Sequence, residues 1–336
     1  MSACAAILGC SGPALTPEEA AFFREVQPWG FIVFGRNIQA PDQLRRLTDD
    51  LRATVGREDA PVLIDQEGGR VARLKPPHWP SYPAARTYGR LPADKRAPTA
   101  RLGARLIAHD LAAVGVSVDC LPVLDLPEAG SHEVIGDRAY AETPGEVAAL
   151  GRAAAEGLLE GGVLPVLKHM PGHGRARADS HRQLPVVDAG REELAARDFA
   201  PFRELADLPM AMTAHVVYAS IDPERPATTS RRCFDEVIRG AIGFEGLVMS
   251  DDLAMEALSG PLSGRADAAF EAGCDVVLHG TGRMSEVREL AHGLRPLSGR
   301  AAERAEAALA RLRLPQPFEA AAARASFEAA LQGALA

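Results

Sequence analysis

The chain has 336 residues, of which 47% are hydrophobic and 24% are charged. This composition allows a large buried core and excludes an intrinsically disordered protein. The formal net charge of −8 at pH 7 argues against a nucleic-acid-binding surface. No run approaches the roughly 18 apolar residues of a membrane span, and the N-terminal residues lack the pattern of a secretory leader. We therefore expect a cytoplasmic protein with neither nucleic acid nor membrane as a partner.

Short apolar runs recur along the chain and are predicted to be strands. They are mostly continuous rather than alternating, as in strands that are covered on both faces of a parallel sheet. In chain order the predicted strands are residues 5–10, 30–35, 61–65, 116–126, 163–169, 209–218, 246–252 and 275–280.

Longer helical patterns separate these strands. Residues 17–26 follow Thr16, which is the expected N-cap, and residues 41–56 end on Gly56, as helices often do. Further helical patterns cover residues 96–115, 145–162, 191–206 and 265–274. The Pro- and Gly-rich stretch 74–92 is predicted to be a long loop between a strand and a helix.

Eight strands that alternate with helices indicate a (β/α)₈ TIM-type barrel. We expect a single catalytic domain over residues 1–336, in which the Ala-rich tail from about 298 to 336 adds one or two helices. A doubly wound open sheet is the alternative, but no GxGxxG motif opens the first unit. The five cysteines show no CxxC spacing. We therefore expect them to be small, buried hydrophobic residues of a protein in a reducing compartment, and not to form disulfides or a metal site.

Catalytic groups in such barrels lie at the carboxyl ends of the strands. Charged, amide or imidazole groups follow seven of the predicted strands here: Arg36, Asn37, Asp65, Gln66, Glu67, Asp125, Lys168, His169, His215, Asp251, Asp252 and His279. A polar, hydrogen-bonding pocket of this kind suits a substrate with many hydroxyl groups. For His215 and His279, a place in the pocket and a place in the core both remain open.

Asp251 and Asp252 are adjacent, so they point to opposite sides if the strand continues through both. Only one of them can then face the pocket. The other is expected to cap a helix over residues 253–258, where a carboxylate near the N-terminus is favoured. The spacing does not choose between the two.

The loop LKHMPGHGRARADSHRQLP, residues 167–185, contains an unusual concentration of imidazole groups. A zinc site could use His169, His173, Asp179 and His181, but Pro171 and Gly172 interrupt the helix that would align the first two imidazoles. Alternatively, Asp179 could fix the tautomer of His181 and stabilise its imidazolium form, which would let it carry a proton near neutral pH. This pattern favours acid/base catalysis, and it favours a structural role for His173 in the turn.

Five motifs together carry a family resemblance: FGRN (34–37), IDQEGGRVARL (64–74), VIGDRAY (134–140), LKHMPGHG with DSH (167–181), and MSDDLAM (249–255). In this order they resemble glycoside hydrolase family 3, and within it the bacterial single-domain β-N-acetylhexosaminidases of cell-wall recycling. The resemblance covers essentially the whole chain. The family usually has an aromatic residue where Met170 stands; methionine can fill a similar apolar gap.

The resemblance implies a retaining exo-hydrolase that removes terminal β-linked N-acetylglucosamine from peptidoglycan fragments bearing anhydro-N-acetylmuramic acid (muropeptides), without metal or organic cofactor. Asp251 matches the nucleophile, His181 the acid/base and Asp179 its partner, which departs from the usual pair of carboxylates. The positions that hold the sugar match Asp65, Arg73, Arg138, Lys168 and His169.

Three alternatives compete with this interpretation. A phosphorylase of the same fold is one, because a histidine acid/base would not repel phosphate; a zinc-dependent hydrolase and an inactive sugar-binding barrel are the others. We also expect Gly172 and Gly174 to let the loop move as a lid that brings His181 to bound substrate.

Overall fold

The computed structural model describes residues 3–128, 130, 133–176, 178–180 and 183–335. Within this part of the chain, eight parallel strands close into a barrel. They are β1 (Cys4–Gly9), β2 (Pro28–Val33), β3 (Val62–Ile64), β4 (Val118–Asp119), β5 (Leu164–Met170), β6 (Met210–Thr213), β7 (Leu247–Asp252) and β8 (Val276–His279). Each strand pairs with the next along the chain, and β8 pairs with β1 to close the barrel. The predicted (β/α)₈ fold is confirmed.

Helices surround the barrel. They are α1 (Pro17–Val26), α2 (Pro41–Val55), α3 (Ala85–Gly89), α4 (Ala93–Ala113), α5 (Pro144–Glu160), α6 (Arg191–Ala196), α7 (Ala200–Glu204), α8 (Arg231–Cys233) with a π-helical continuation (Phe234–Ala241), α9 (Leu262–Ala272), α10 (Met284–Ala291), α11 (Gly299–Leu309) and α12 (Ala320–Leu335). The Thr16 side chain caps α1, and Gly56 ends α2 in the left-handed conformation, as predicted. No described helix is both long and apolar enough to cross a membrane.

Two hydrophobic clusters form the core. The smaller one fills the barrel interior with alternate strand residues, for example Ile7, Leu63, Val166 and Met249. The larger one lies between the opposite faces of the strands and the surrounding helices. All five cysteines lie in the described part of the chain and are free; four of them are buried and Cys4 is half-buried. They are small hydrophobes, as predicted.

Strand predictions were too long where the chain leaves the sheet. Residues 116–126 contribute only β4 to the barrel, because Pro122 has no N–H to donate to a ladder. The segment nevertheless stays beside β5, since the Leu124 N–H donates to the Lys168 carbonyl at 2.7 Å. Similarly, residues 209–218 divide into β6 and the short strand Val217–Tyr218, which pairs with Val186–Val187.

The predicted helix over residues 253–258 is wrong. This segment forms successive turns, in which the Met255 N–H donates to the Asp252 carbonyl and the Leu258 N–H to the Met255 carbonyl. The Asp252 carboxylate accepts one hydrogen bond from the Ala254 N–H and another from the Gly280 N–H, after β8. Because one oxygen is committed to a neighbouring strand, the side chain caps a turn rather than a helix.

Candidate active site

A cavity of about 110 Å³ lies at the carboxyl ends of the barrel strands. Six of the sequence-predicted site residues line it: Asp65, Arg73, Arg138, Lys168, His169 and Asp251. They come from segments up to 186 residues apart in sequence, counted from Asp65 to Asp251. A larger cavity, of about 650 Å³, lies outside the barrel between α4, α5 and residues 316–318. None of these strand-end residues lines the larger cavity, so we assign the active site to the smaller one.

Strand geometry explains why three of these side chains converge. The side chains two positions earlier pack in the barrel interior: Leu63, Val166 and Met249. Because side chains alternate along a strand, residues two positions apart share a face. Asp65, Lys168 and Asp251 therefore face the barrel interior, each at the carboxyl end of its own strand, and line the cavity there.

A buried ion-pair network fixes the floor of the cavity. The Lys168 Nζ lies 2.8 Å from Asp65 Oδ1 and 2.6 Å from Glu67 Oε1. Arg138 donates two hydrogen bonds to the Glu67 carboxylate, from Nε and Nη2, each 2.8 Å long. Arg73 Nη2 donates to the other Asp65 oxygen at 3.1 Å. The cations therefore have defined positions before any substrate binds.

These contacts keep Asp65, Glu67 and Lys168 charged. Burial alone would raise the pKa of Glu67, but Arg138 and Lys168 lower the pKa to about 2. Burial opposes ionisation of Asp65 too, yet Lys168 and Arg73 hold its pKa well below the usual range. Burial would lower the pKa of Lys168, and the two carboxylates raise it above its ordinary value instead.

A second buried network orients His169. Its Nδ1 lies 2.6 Å from Asp125 Oδ2, while Asp125 Oδ1 accepts the backbone N–H groups of His169 and His173 at 3.1 and 2.7 Å. Burial would raise the pKa of Asp125, but His169 and His173 lower the pKa to about 2. An ionised carboxylate only accepts, so Nδ1 of His169 carries a hydrogen and donates it to Asp125.

His173 lies in the turn that follows β5 and also lines the cavity. It is buried, and its Nε2 lies 3.0 Å from the Ser180 hydroxyl. Burial and the nearby His169 lower the pKa of His173 to about 4. The ring is therefore neutral at pH 7 and contributes no charge to the loop.

Asp251 and Asp252 diverge as the spacing predicted. Strand β7 continues through both residues, and Asp251 lines the cavity while the Asp252 carboxylate turns to the backbone of Ala254 and Gly280. The Asp252 N–H donates to Asp251 Oδ1 at 2.8 Å. The cavity thus receives the first carboxylate of the pair.

The loop that follows β5 is described in part. Asp179 is half-buried and Ser180 is buried, while His181 lies outside the described residues. Among the described residues, no group of three or more His, Cys, Asp and Glu side chains is arranged to hold a metal ion; the zinc set derived from the sequence includes His181.

Close packing, rather than freedom to move, explains the two loop glycines. A Cβ on Gly174 would lie 1.7 Å from the Leu126 carbonyl oxygen, and a Cβ on Gly172, whose φ is +137°, would lie 3.1 Å from Asp198 Cβ. The Gly172 carbonyl also accepts a hydrogen bond from Tyr218 Oη at 2.7 Å. The two glycines therefore do not support the expectation that this loop moves as a lid, because both are closely packed against neighbouring residues.

His215 and His279 belong to the core. Both are fully buried, and neither is among the described residues that line the cavity. His279 Nε2 lies 3.3 Å from Glu286. The sequence left this question open for both histidines.

Some residues of the site had weak sequence signals. Glu67 and Asp125 stood among the strand-end residues, but nothing in the pattern gave them partners. Four further lining residues lie within the quoted motifs but had no predicted role, namely Val71, Val134, Ile135 and Ser180, and Met212 lies outside these motifs.

Known proteins share the sequence pattern and the fold of this chain. Residues 14–313 match the N-terminal domain of glycosyl hydrolase family 3. A β-hexosaminidase of Alkalilimnicola ehrlichii is 45% identical over 280 residues, which cover 81% of this chain and 79% of that protein. The crystal structure of native NagZ from Neisseria gonorrhoeae superposes with a TM-score of 0.86 at 32% identity, covering 99% of this chain and 97% of that one. A second structure of that NagZ, in complex with N-trifluoroacetyl-D-glucosamine, matches with the same TM-score and identity, covering 99% of this chain and 98% of that one.

Proposed function

The chain belongs to glycosyl hydrolase family 3, and from that membership we propose that it removes terminal β-linked N-acetylglucosamine with retention of configuration. It is a glycoside hydrolase, and its relatives carry the names β-hexosaminidase and NagZ. The finer parts of the proposal are the peptidoglycan substrate, the covalent intermediate and the roles of single residues.

One observation carries the proposal: the Asp251 carboxylate shares a cavity with a set of charged and imidazole groups whose positions are already fixed. Asp65 and Lys168 are tied to each other, and His169 is oriented by Asp125. Such groups can hydrogen-bond several sugar hydroxyls at once without a further cost of ordering. We assign sugar binding to Asp65, Arg73, Arg138, Lys168 and His169.

In the first step the Asp251 carboxylate attacks the anomeric carbon, and the bond from that carbon to the leaving oxygen breaks. His181 gives its proton to the leaving oxygen, so the products are a glycosyl ester on Asp251 and a free alcohol. Asp179, two residues before His181 in the sequence, would stabilise the protonated imidazole before this transfer.

In the second step the neutral His181 removes a proton from water, and the resulting hydroxide equivalent attacks the anomeric carbon. The bond to Asp251 breaks, which restores the carboxylate and leaves His181 protonated for the next cycle. Two displacements at the same carbon give a product of unchanged configuration.

The substrate proposed is a peptidoglycan fragment in which N-acetylglucosamine is linked to anhydro-N-acetylmuramic acid, with the cytoplasm as the compartment. The motif resemblance to enzymes of cell-wall recycling supports the substrate. The five free cysteines are compatible with a reducing compartment.

The proposal is tested by release of 4-nitrophenol from its N-acetyl-β-D-glucosaminide beside the matching β-glucoside, with a chelator present. We expect release from the N-acetylated substrate alone, at equal rates in phosphate and in non-phosphate buffer. Faster turnover in phosphate, with glycosyl phosphate as product, would indicate a phosphorylase, and loss of activity on chelation would indicate a metal-dependent hydrolase. Cleavage of the disaccharide fragment, followed by mass spectrometry, tests the natural substrate.

A further inference from the structure

A buried histidine contacts the residue that follows the proposed nucleophile. His215 follows β6, and its Nε2 lies 3.1 Å from the Asp252 carbonyl oxygen, while its Nδ1 lies 2.7 Å from Thr228 Oγ1. A carbonyl oxygen only accepts, so Nε2 carries the hydrogen and donates it to Asp252. In the neutral ring Nδ1 then accepts the hydrogen of the Thr228 hydroxyl.

The ring is neutral and firmly held. Burial lowers the pKa of His215 from its ordinary value, and the nearby Asp251 only opposes that effect. Because the single hydrogen of the Thr228 hydroxyl goes to His215 Nδ1, the Thr228 oxygen accepts a hydrogen bond from the Thr213 hydroxyl, at the end of β6, at 2.8 Å. These contacts fix where Thr228 stands and hence how the imidazole is oriented.

Asp252 connects this ring to the nucleophile. Its N–H donates to Asp251 Oδ1 at 2.8 Å. The same residue is held at its carbonyl by His215, and at its carboxylate by the N–H groups of Ala254 and Gly280 at 2.9 and 3.2 Å. The orientation of the Asp251 carboxylate therefore depends on a backbone segment that His215 anchors.

We propose that His215 is a positioning residue, which holds the Asp252 backbone and through it directs the Asp251 carboxylate at the anomeric carbon. This inference rests on the proposed function, in which Asp251 is the nucleophile. His215 neither touches the sugar nor transfers a proton. A neutral ring suits this task, because an imidazolium beside Asp251 would stabilise the carboxylate and weaken its attack.

The first test compares His215→Leu with His215→Gln. Leucine fills the space but offers no donor, so kcat and kcat/KM on the 4-nitrophenyl N-acetylglucosaminide should fall together by roughly 30- to 100-fold, with KM within about threefold of native. Glutamine can donate to the Asp252 carbonyl and accept from Thr228, so it should recover most of the loss and leave the pH profile in place. If glutamine is as poor as leucine, or if leucine is as active as native, the positioning role is refuted.

The second test is a double-mutant cycle in which azide replaces the nucleophile. In Asp251→Gly, azide attacks the anomeric carbon directly and 4-nitrophenolate leaves, so the product is a glycosyl azide. If His215 acts through Asp251, adding His215→Leu to Asp251→Gly should change the azide-dependent rate by less than about twofold. A further loss as large as that in the native background would mean general damage to the site and would refute the proposal.

Two controls keep the outcomes distinct. Asp251→Gly without azide should be inactive; full activity there would contradict the nucleophile assignment and, with it, this inference. If His215→Leu does not fold, Thr228→Val removes only the hydroxyl that orients the ring, and a fall in kcat of about tenfold is expected. Native kcat in a folded Thr228→Val enzyme would then refute the proposal.

Discussion

Glu67 is the residue whose replacement tests the buried network most severely. In Glu67→Gln, Arg138 can keep a hydrogen bond to the one remaining amide oxygen but loses the other together with the negative charge, and Lys168 loses the shorter of its two ion pairs. The pKa of Glu67 falls from 4.5 to about 2 in the folded protein, which corresponds to about 3 kcal/mol in favour of the ionised form. The Glu67 side chain is only 4% exposed, so little solvent screening reduces this value. Removing one partner of a buried ion pair lowers the free energy of unfolding by about 3–5 kcal/mol, a range consistent with the value from the pKa shift.

The sign of the pH dependence follows from the lowered pKa. The unfolded chain takes up a proton at Glu67 before the folded protein does, so the stabilisation is complete above about pH 4.5 and is lost as the pH falls toward 2. We expect Glu67→Gln to lower the free energy of unfolding by about 3 kcal/mol at pH 7 and by progressively less below pH 4.5. Urea denaturation of both proteins at several pH values measures this difference.

An exposed ion pair provides the matched control. Glu142 lies 3.0 Å from Arg86, but its side chain is 77% exposed, so Glu142→Gln should cost less than about 1 kcal/mol. The displaced Arg138 and Lys168 should also lower kcat/KM of Glu67→Gln by about tenfold or more. The reasoning is refuted if both glutamine variants lose the same stability, or if the loss in Glu67→Gln does not shrink in acid.

Two further predictions concern the walls of the site. Asp125→Asn removes the charge that orients His169 across the 2.6 Å contact, so kcat/KM should fall by about tenfold to a hundredfold in steady-state assays; native kcat/KM would show that the orientation does not matter. Gly174→Ala places a Cβ 1.7 Å from the Leu126 carbonyl oxygen, whereas a Cβ on Gly145 meets no atom within 4 Å. In urea denaturation Gly174→Ala should therefore cost more than about 3 kcal/mol and Gly145→Ala less than about 1 kcal/mol, and equal costs would contradict the packing argument.

Continuous apolar runs predicted the strands well where both faces of the strand are buried. Residues 163–169 became Leu164–Met170, and residues 246–252 became Leu247–Asp252. The same pattern failed beyond β4, because it reports burial and not whether the backbone is paired in a sheet. The helix predicted over residues 253–258 failed for another reason: the Asp252 carboxylate accepts a hydrogen bond from the Gly280 N–H, 28 residues away.

The site was predictable in its residue types but not in its connections. Period-two alternation carries Asp65, Lys168 and Asp251 to the top of the interior, and the sequence contains that information. The bond between Glu67 and Arg138 joins residues 71 positions apart, and no local pattern pairs them. The need for glycine at 174 is set by the Leu126 carbonyl, a neighbour that only the folded chain provides.

The central claim is that Asp251 forms a covalent bond with the sugar. It is tested most directly by incubating the enzyme with a fluorinated N-acetylglucosaminyl fluoride, which slows hydrolysis of the intermediate, and by locating the adduct by peptide mass spectrometry. We predict one sugar per chain on the peptide that contains Asp251, and none in Asp251→Asn. A sugar on another carboxylate, or turnover with inverted configuration and no adduct, would contradict the account.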